Sequence, residues 1–165
     1  MAASWASSEH ARRTMVANRS KDTGPERAVR ASLHARGYRY RVSYRPLPSV
    51  RRSADIVFTR QRVAIFIDGC FWHGCPDHFI APKSNAEYWN AKITGNKTRD
   101  RDTDRRLEEA GWTVIRCWEH ERVADVVARI ESVNRPEFRS VLSFWRMELC
   151  QDRIRTSSVS ARCGC

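Results

Sequence analysis

Short apolar runs, each bounded by turn-forming or charged residues, set the framework of this chain. "ADIVF" (54–58) and "RVAIFID" (62–68) are rich in β-branched residues, and only Thr59, Arg60 and Gln61 lie between them. That spacing predicts two strands joined as a hairpin. "YRYRV" (38–42) alternates as a strand does, and "WTVIRCWE" (112–119) reads as a further strand. A helix is expected to begin at Asp22 or Thr23 with Pro25 near its first position. It carries Ala28, Val29 and Leu33 and stops at Gly37. "AEYWNAKI" (86–93) and "RDRDTDRRLEEAG" (99–111) read as two charged helical stretches, the second stopped by Gly111. "ERVADVVARIESV" (121–133) is amphipathic, with Val123, Val126, Val127 and Ile130 on one face. "FRSVLSFWRM" (138–147) predicts a last helix. The order predicts an α/β fold, a small mixed sheet flanked by helices. Residues 43–53 form a Pro- and Arg-rich loop, residues 1–20 a basic arm, and residues 151–165 a Ser-rich tail expected to be disordered. The folded domain is then 21–150, and no internal repeat is present.

Composition adds a partner and a compartment. A length of 165 residues with 41% hydrophobic content suits one domain with a single core. No run is long and apolar enough to span a bilayer. "MAASWASSEHARRTM" lacks the apolar stretch of a secretory signal, so the expected compartment is the cytoplasm. The net charge is +11, and it is concentrated: residues 1–52 hold 12 basic and 3 acidic side chains. A polyanion, most simply nucleic acid, fits that concentration. A solvated basic face is the plainer reading. Arg supplies 26 of the 30 basic residues, so genome composition is a further source of the excess. Six cysteines in a chain read as cytosolic do not imply a disulfide framework. Cys150, Cys163 and Cys165 show no usable pattern.

Chemistry concentrates in "AIFIDGCFWHGCPDHF", Ala64 to Phe79. If the hairpin turn centres between Gln61 and Arg62, Asp55 faces Asp68 across the pair. Two acids held together call for a cation or a proton. Mg²⁺ is commonly held by one or two carboxylates plus phosphate oxygens, which is hardware for phosphodiester hydrolysis. Two acids that merely end their strands in solvent are an equally weighted alternative. Cys70-x₄-Cys75-x₂-His78 offers three tetrahedral Zn²⁺ ligands on a short loop, against the alternative of two unlinked thiols. The fourth ligand is His120 or Cys117. His120 is preferred because it follows its strand, whereas Cys117 is also explained as a buried strand residue. His73 is left over as a spare loop residue or a proton donor or acceptor. Phe71 and Trp72 lie between Gly69 and Gly74, which favours a loop that projects them over simple core packing.

The run "IDGCFWHGCPDHF", with "SADIVF" before it and "AEYW" and "NKTRDRDTDRRLEEAGWTVIRCWEHE" after it, closely resembles the very-short-patch (Vsr-type) mismatch repair endonucleases. The resemblance covers roughly residues 12–135. It implies a restriction-endonuclease-like core and a monomeric DNA endonuclease. Such an enzyme nicks duplex DNA beside the T of a T·G mismatch left by 5-methylcytosine deamination. Mg²⁺ would be catalytic and Zn²⁺ structural. Carried over by residue, Asp55 corresponds to the metal-binding aspartate and His73 to the catalytic histidine. Glu26 and Asp100 correspond to acids grouped around them. Met15, Phe71 and Trp72 correspond to apolar residues that wedge into the base stack. Cys70 corresponds to a zinc ligand, and His120 falls where the family can have Cys. Arg12, Arg13, Arg19 and Lys21 are expected on phosphates, and mismatch-repair factors are further expected partners on nucleoid DNA. Three features depart from the family pattern: Asp68 stands where some members have His, the zinc loop has its own spacing, and "SAD" replaces "RPD". Two rivals stand beside this reading. One is a zinc-stabilised nucleic-acid-binding module without catalysis; the other is a restriction-like nuclease of the same fold.

Overall fold

A computed structural model describes residues 21–134, together with Arg13. The first helix, α1 (Gly24–Ala35), has Thr23 as N-cap and Pro25 in its first turn. Glu26 reaches back to secure this start. Its Oε1 accepts from Thr23 Oγ1 at 2.8 Å and its Oε2 from the Asp22 N–H at 2.9 Å. Val29 and Leu33 are buried. Gly37, at φ +84°, turns the chain out of the helix, and the Tyr38 N–H closes it on the Leu33 carbonyl at 3.1 Å.

Four strands follow in space as in sequence: β1 (Arg41–Tyr44), β2 (Ala54–Phe58), β3 (Val63–Asp68) and β4 (Thr113–Trp118). β1–β2 and β2–β3 are antiparallel, and β3–β4 is parallel. A long helix, α2 (Ala86–Glu109), lies on the crossover from β3 to β4, and α3 (Val123–Asn134) follows β4. The described residues thus form a small mixed sheet of four strands flanked by three helices, the α/β arrangement the pattern predicts.

Three expectations are corrected. The first strand runs Arg41–Tyr44 rather than 38–42, so it takes in Ser43 and Tyr44 of the expected loop. Tyr38 and Tyr40 instead set ring edges on Phe58, at 5.9 and 6.0 Å between centroids, and the Tyr40 hydroxyl donates to the Arg30 carbonyl at 2.7 Å. The hairpin turn takes four residues, 59–62, because Arg62 adopts a left-handed φ of +54° and β3 starts one residue later. Ile56 therefore lies across from Ile65 and Val57 from Ala64. Continued one step, that register sets Phe66, not Asp68, opposite Asp55. The two charged helical stretches are one helix of 24 residues that runs through Gly95, since one interior Gly costs only about 1 kcal/mol relative to Ala.

Phe66, Val57 and Ala64 form a buried cluster with Leu107 of α2 and Trp112. On the opposite face, Ile67 and Cys117 line a seam with Val29 of α1 and Val126 of α3. The chain divides between Ala128 and Arg129, and the sheet lies in the first part. No helix among the described residues is long and apolar enough to cross a membrane. Met15, Arg12, Arg19, the expected helix 138–147 and the tail 151–165 lie outside the described residues.

Candidate active site and metal cluster

A cleft of about 980 Å³ opens where the start of α1, the ends of β2 and β3, and the middle of α2 converge. Asp55, Asp68, His73, Asp100 and Glu26 all line it. The sheet supplies the first two. Asp55 and Asp68 share a face because the corrected register differs from the expected one by two residues, and an even shift preserves sidedness. They are therefore diagonal neighbours rather than direct partners.

Asp55 Oδ2 accepts the Ile67 N–H at 2.7 Å, and Oδ1 has no partner among the described residues. Burial pushes its carboxyl up to about 6, and the nearby Glu26 and Asp68 charges add to the rise against the Ile67 hydrogen bond. The other acids are engaged. Glu26 spends both oxygens on the start of its own helix. Asp68 takes two hydrogen bonds from Arg116 Nη1, at 2.9 and 2.8 Å. Asp100 Oδ2 meets His73 Nδ1 at 2.6 Å. Of the four predicted acids, Asp55 alone keeps an oxygen turned to neither a side chain nor its own helix end. One open carboxylate on strained charge suits a hard cation completed by substrate oxygens.

His73 sits between two carboxylates, with Nδ1 2.6 Å from Asp100 and 3.5 Å from Asp68. Burial works against the imidazolium. The Asp100 hydrogen bond and the Asp68 charge outweigh it and set His73 above its ordinary value. Burial also works to raise Asp100, but His73 and Arg116 outweigh it and hold that carboxyl low. Asp68 stays raised, because burial exceeds what Arg116 and His73 return. The arrangement can move a proton at the remaining ring nitrogen while an anion fixes the first. Arg27 and Arg99 are exposed at the same cleft, where they suit phosphate.

His73 is held by a loop of successive turns. Its N–H meets the Gly69 carbonyl at 3.1 Å, and the Cys75 N–H meets Cys70 at 2.9 Å. Gly74 has φ +61°, a backbone conformation that glycine adopts without strain, and it lies close against Lys97 and Ile93 of α2. Asn96 Nδ2 donates to the Trp72 carbonyl at 2.7 Å, and Glu119 accepts the Cys70 N–H at 2.6 Å.

Cys70, Cys75, His78 and His120 bring their ligand atoms within 4.8 Å of one another. Cys75 Sγ lies 3.8 Å from His78 Nδ1 and 3.7 Å from His120 Nδ1, and Cys70 Sγ lies 3.0 Å from His120 Nδ1. A tetrahedral ion with bonds of about 2.0–2.3 Å spaces its ligands about 3.3–3.8 Å apart. Burial and the adjacent Cys75 sulfur push the Cys70 thiol up to about 11, a strain that a bound cation would relieve. This donor set fits a soft divalent metal. Cys117 is buried in the α1–α3 seam and outside the cluster.

Phe71 and Trp72 are partly buried, not free-standing. They pack edge to face at 5.3 Å, and both meet the buried Trp89 ring, at 5.2 and 6.0 Å. Lys21 and Arg13 are exposed. Sequence reasoning missed Asn96, Glu119 and Arg116. The one readable signal was Arg116, a charge in the middle of an apolar strand.

The family model for the DNA mismatch endonuclease Vsr matches residues 6–77. The Type II nicking enzyme V.NaeI of Lentzea aerocolonigenes is 49% identical over 120 residues, 72% of this chain and 72% of its own length. The Type II nicking enzyme V.XorIIP of Xanthomonas oryzae pv. oryzae is 43% identical, over 70% of this chain and 83% of its own. The DNA mismatch endonuclease Vsr of Escherichia coli K12 is 36% identical, over 65% and 67% respectively.

Proposed function

Since the chain belongs to the Vsr family of DNA endonucleases, we propose that it nicks duplex DNA beside the T of a T·G mismatch arising from 5-methylcytosine deamination. Mg²⁺ is the catalytic metal and Zn²⁺ the structural one. The observation that carries this reading is the pairing, in one cleft, of an open carboxylate on Asp55 with an imidazole anchored on Asp100.

Asp55 would hold Mg²⁺, with phosphate oxygens as further ligands. When bound, the ion supplies positive charge that polarises the scissile phosphate. His73 exchanges a proton through Nε2, because Nδ1 is taken by Asp100. Asp100 orients the ring. Glu26 sets the start of α1 beside Asp55 and adds negative charge there. Arg27 and Arg99 meet the backbone, and the basic arm with Arg12, Arg13, Arg19 and Lys21 fixes register on phosphates. Phe71 and Trp72, backed by Trp89, unstack the duplex with Met15, a step of a few kcal/mol that weak pairing at a mismatch makes cheapest. Cys70, Cys75, His78 and His120 would hold Zn²⁺, which would stiffen the loop that carries Phe71 and Trp72. The acid-lined end of a mixed sheet supports a restriction-endonuclease-like core.

The test is cleavage of duplexes that differ only in a T·G or C·G pair, with and without Mg²⁺. The expected result is a single-strand nick in the T·G duplex alone, and only with the metal. Equal cleavage of both duplexes would favour the restriction-like alternative. Binding without cleavage under every condition would favour the non-catalytic module.

A further inference from the structure

Arg116 lies in the middle of β4, next to Phe66 of β3 in the parallel register. Its guanidinium covers the Phe66 ring at 4.7 Å. From there it reaches three carboxylates on two elements. Nη1 donates to both oxygens of Asp68, at 2.9 and 2.8 Å. Nε donates to both oxygens of Asp104 on α2, at 3.0 and 2.9 Å. Nη2 stands 3.4 Å from Asp100 Oδ1.

Every edge of the guanidinium is thus turned to a carboxylate, and no fork is left to grip a phosphate. Direct substrate contact is therefore not its work. Two of its three partners, Asp68 and Asp100, are the carboxylates that flank His73. Without a cation among them, three acids this close would repel and separate. With it, they are held in place by hydrogen bonds and opposite charge. The same contact occupies both Asp68 oxygens, while Asp55, on the same sheet face, keeps one open.

We propose that Arg116 is a positioning residue: it sets Asp68 and Asp100 as a cradle for the His73 ring and withholds Asp68 from the cation, leaving Asp55 to meet it. The proposal rests on the nicking reading above, in which His73 carries the proton.

Arg116→Met keeps the aliphatic stem on Phe66 and removes the charge, and Arg116→Lys keeps the charge without the fork. Asp104→Asn loosens Arg116 from its far side and leaves the residues around His73 unchanged. Each full-length, zinc-loaded variant is compared with wild type by thermal melt, duplex affinity, single-turnover nicking at saturating T·G duplex, and the NMR signal of the His73 Nδ1 proton. Arg116→Met should lower the nicking rate by roughly 10- to 100-fold, leave affinity within about threefold, and shift or broaden the His73 signal. Arg116→Lys should recover part of both, and Asp104→Asn should show a smaller loss in both. Arg116→Met combined with Asp100→Asn should lose less than the product of the two single losses, because both act on one ring. A folded Arg116→Met with wild-type rate and an unmoved His73 signal overturns the proposal. So does a loss of duplex affinity at unchanged rate, which would make Arg116 a phosphate contact. If Arg116→Met does not fold, wild-type rate and signal in both Arg116→Lys and Asp104→Asn overturn it instead. Absence of nicking by the wild type would count against the nicking reading, and the NMR comparison still decides the cradle.

Discussion

Asp55→Asn is expected to stabilise the protein in magnesium-free buffer while ending its nicking. Burial, then the charges of Glu26 and Asp68, push the Asp55 carboxyl from 3.8 to about 6, against the Ile67 hydrogen bond that favours the anion. A rise of that size amounts to about 3 kcal/mol of ionisation penalty at neutral pH. The sign follows from proton binding. Between 3.8 and about 6 the folded state keeps a proton that the unfolded state has released. The contribution of Asp55 is therefore full below the lower value and lost as pH rises through the upper one. Asn carries no charge at any pH, and its side-chain oxygen can still accept the Ile67 N–H. Water reaching a partly exposed group reduces the gain, so about 1–2 kcal/mol is expected near neutrality. For a chain of this size that raises the melting midpoint by roughly 2–8 °C. Melts of both proteins at about pH 7.5 and about pH 4, zinc-loaded and free of chelator, give the comparison. The gap should nearly close at the lower pH, and adding Mg²⁺ to the duplex complex should give a further stabilisation only in the wild type. A variant no more stable than wild type at the higher pH, or a gap identical at both, would refute the reasoning.

His73→Ala should slow nicking by roughly 10²- to 10⁴-fold, with duplex affinity unchanged, as single-turnover rates and binding curves would report. Asp100→Asn should lose less, since the ring remains. Purified protein should hold one equivalent of zinc; His120→Ala should lose it and Cys117→Ser keep it on metal analysis, and the reverse pattern would reassign the fourth ligand. Phe71→Ala and Trp72→Ala should each weaken T·G duplex binding by roughly tenfold. Because both rings rest on Trp89, each should also lower stability by about 1–3 kcal/mol, less than a fully buried ring would; a melt beside T·G and C·G binding curves separates the two effects.

What could be read from the sequence depended on how far apart the interacting residues lie along the chain. The strands β2, β3 and β4 were legible because each is a short apolar run with clear bounds, and α1 because Pro25 and Gly37 mark its ends. Three of the four clustered metal-type ligands lie within nine residues, 70–78, so their spacing alone suggested them. His120 joins them because parallel pairing brings Trp118 beside Asp68. The hairpin register was missed because it rests on the left-handed backbone of Arg62, and nothing in an Arg codes for that conformation. The contacts of Asn96 and Arg116 were illegible for a related reason. They depend on the rotation of a 24-residue helix over the sheet and on a strand register set across some fifty residues of chain.

The charge of the cleft poses a problem that the rest of the chain helps to solve. Asp55, Asp68, Asp100 and Glu26 make its floor acidic, and an acidic floor repels the phosphate it must cleave. Arg116 removes part of that repulsion by pairing with three aspartates, but it brings no net attraction of its own. The attraction comes from elsewhere: the 12 basic residues of positions 1–52, with Arg27 and Arg99 at the rim, draw the duplex in over a distance of about one Debye length. At the floor itself, a divalent cation on Asp55 would reverse the local sign just where a phosphate arrives, and the phosphate oxygens would complete a ligand set that one protein carboxylate leaves short. Under the proposed function, a metal and a phosphate would each strengthen the binding of the other at this site. A cleft with every acid left open would hold cations without DNA, and one with no open acid would hold neither.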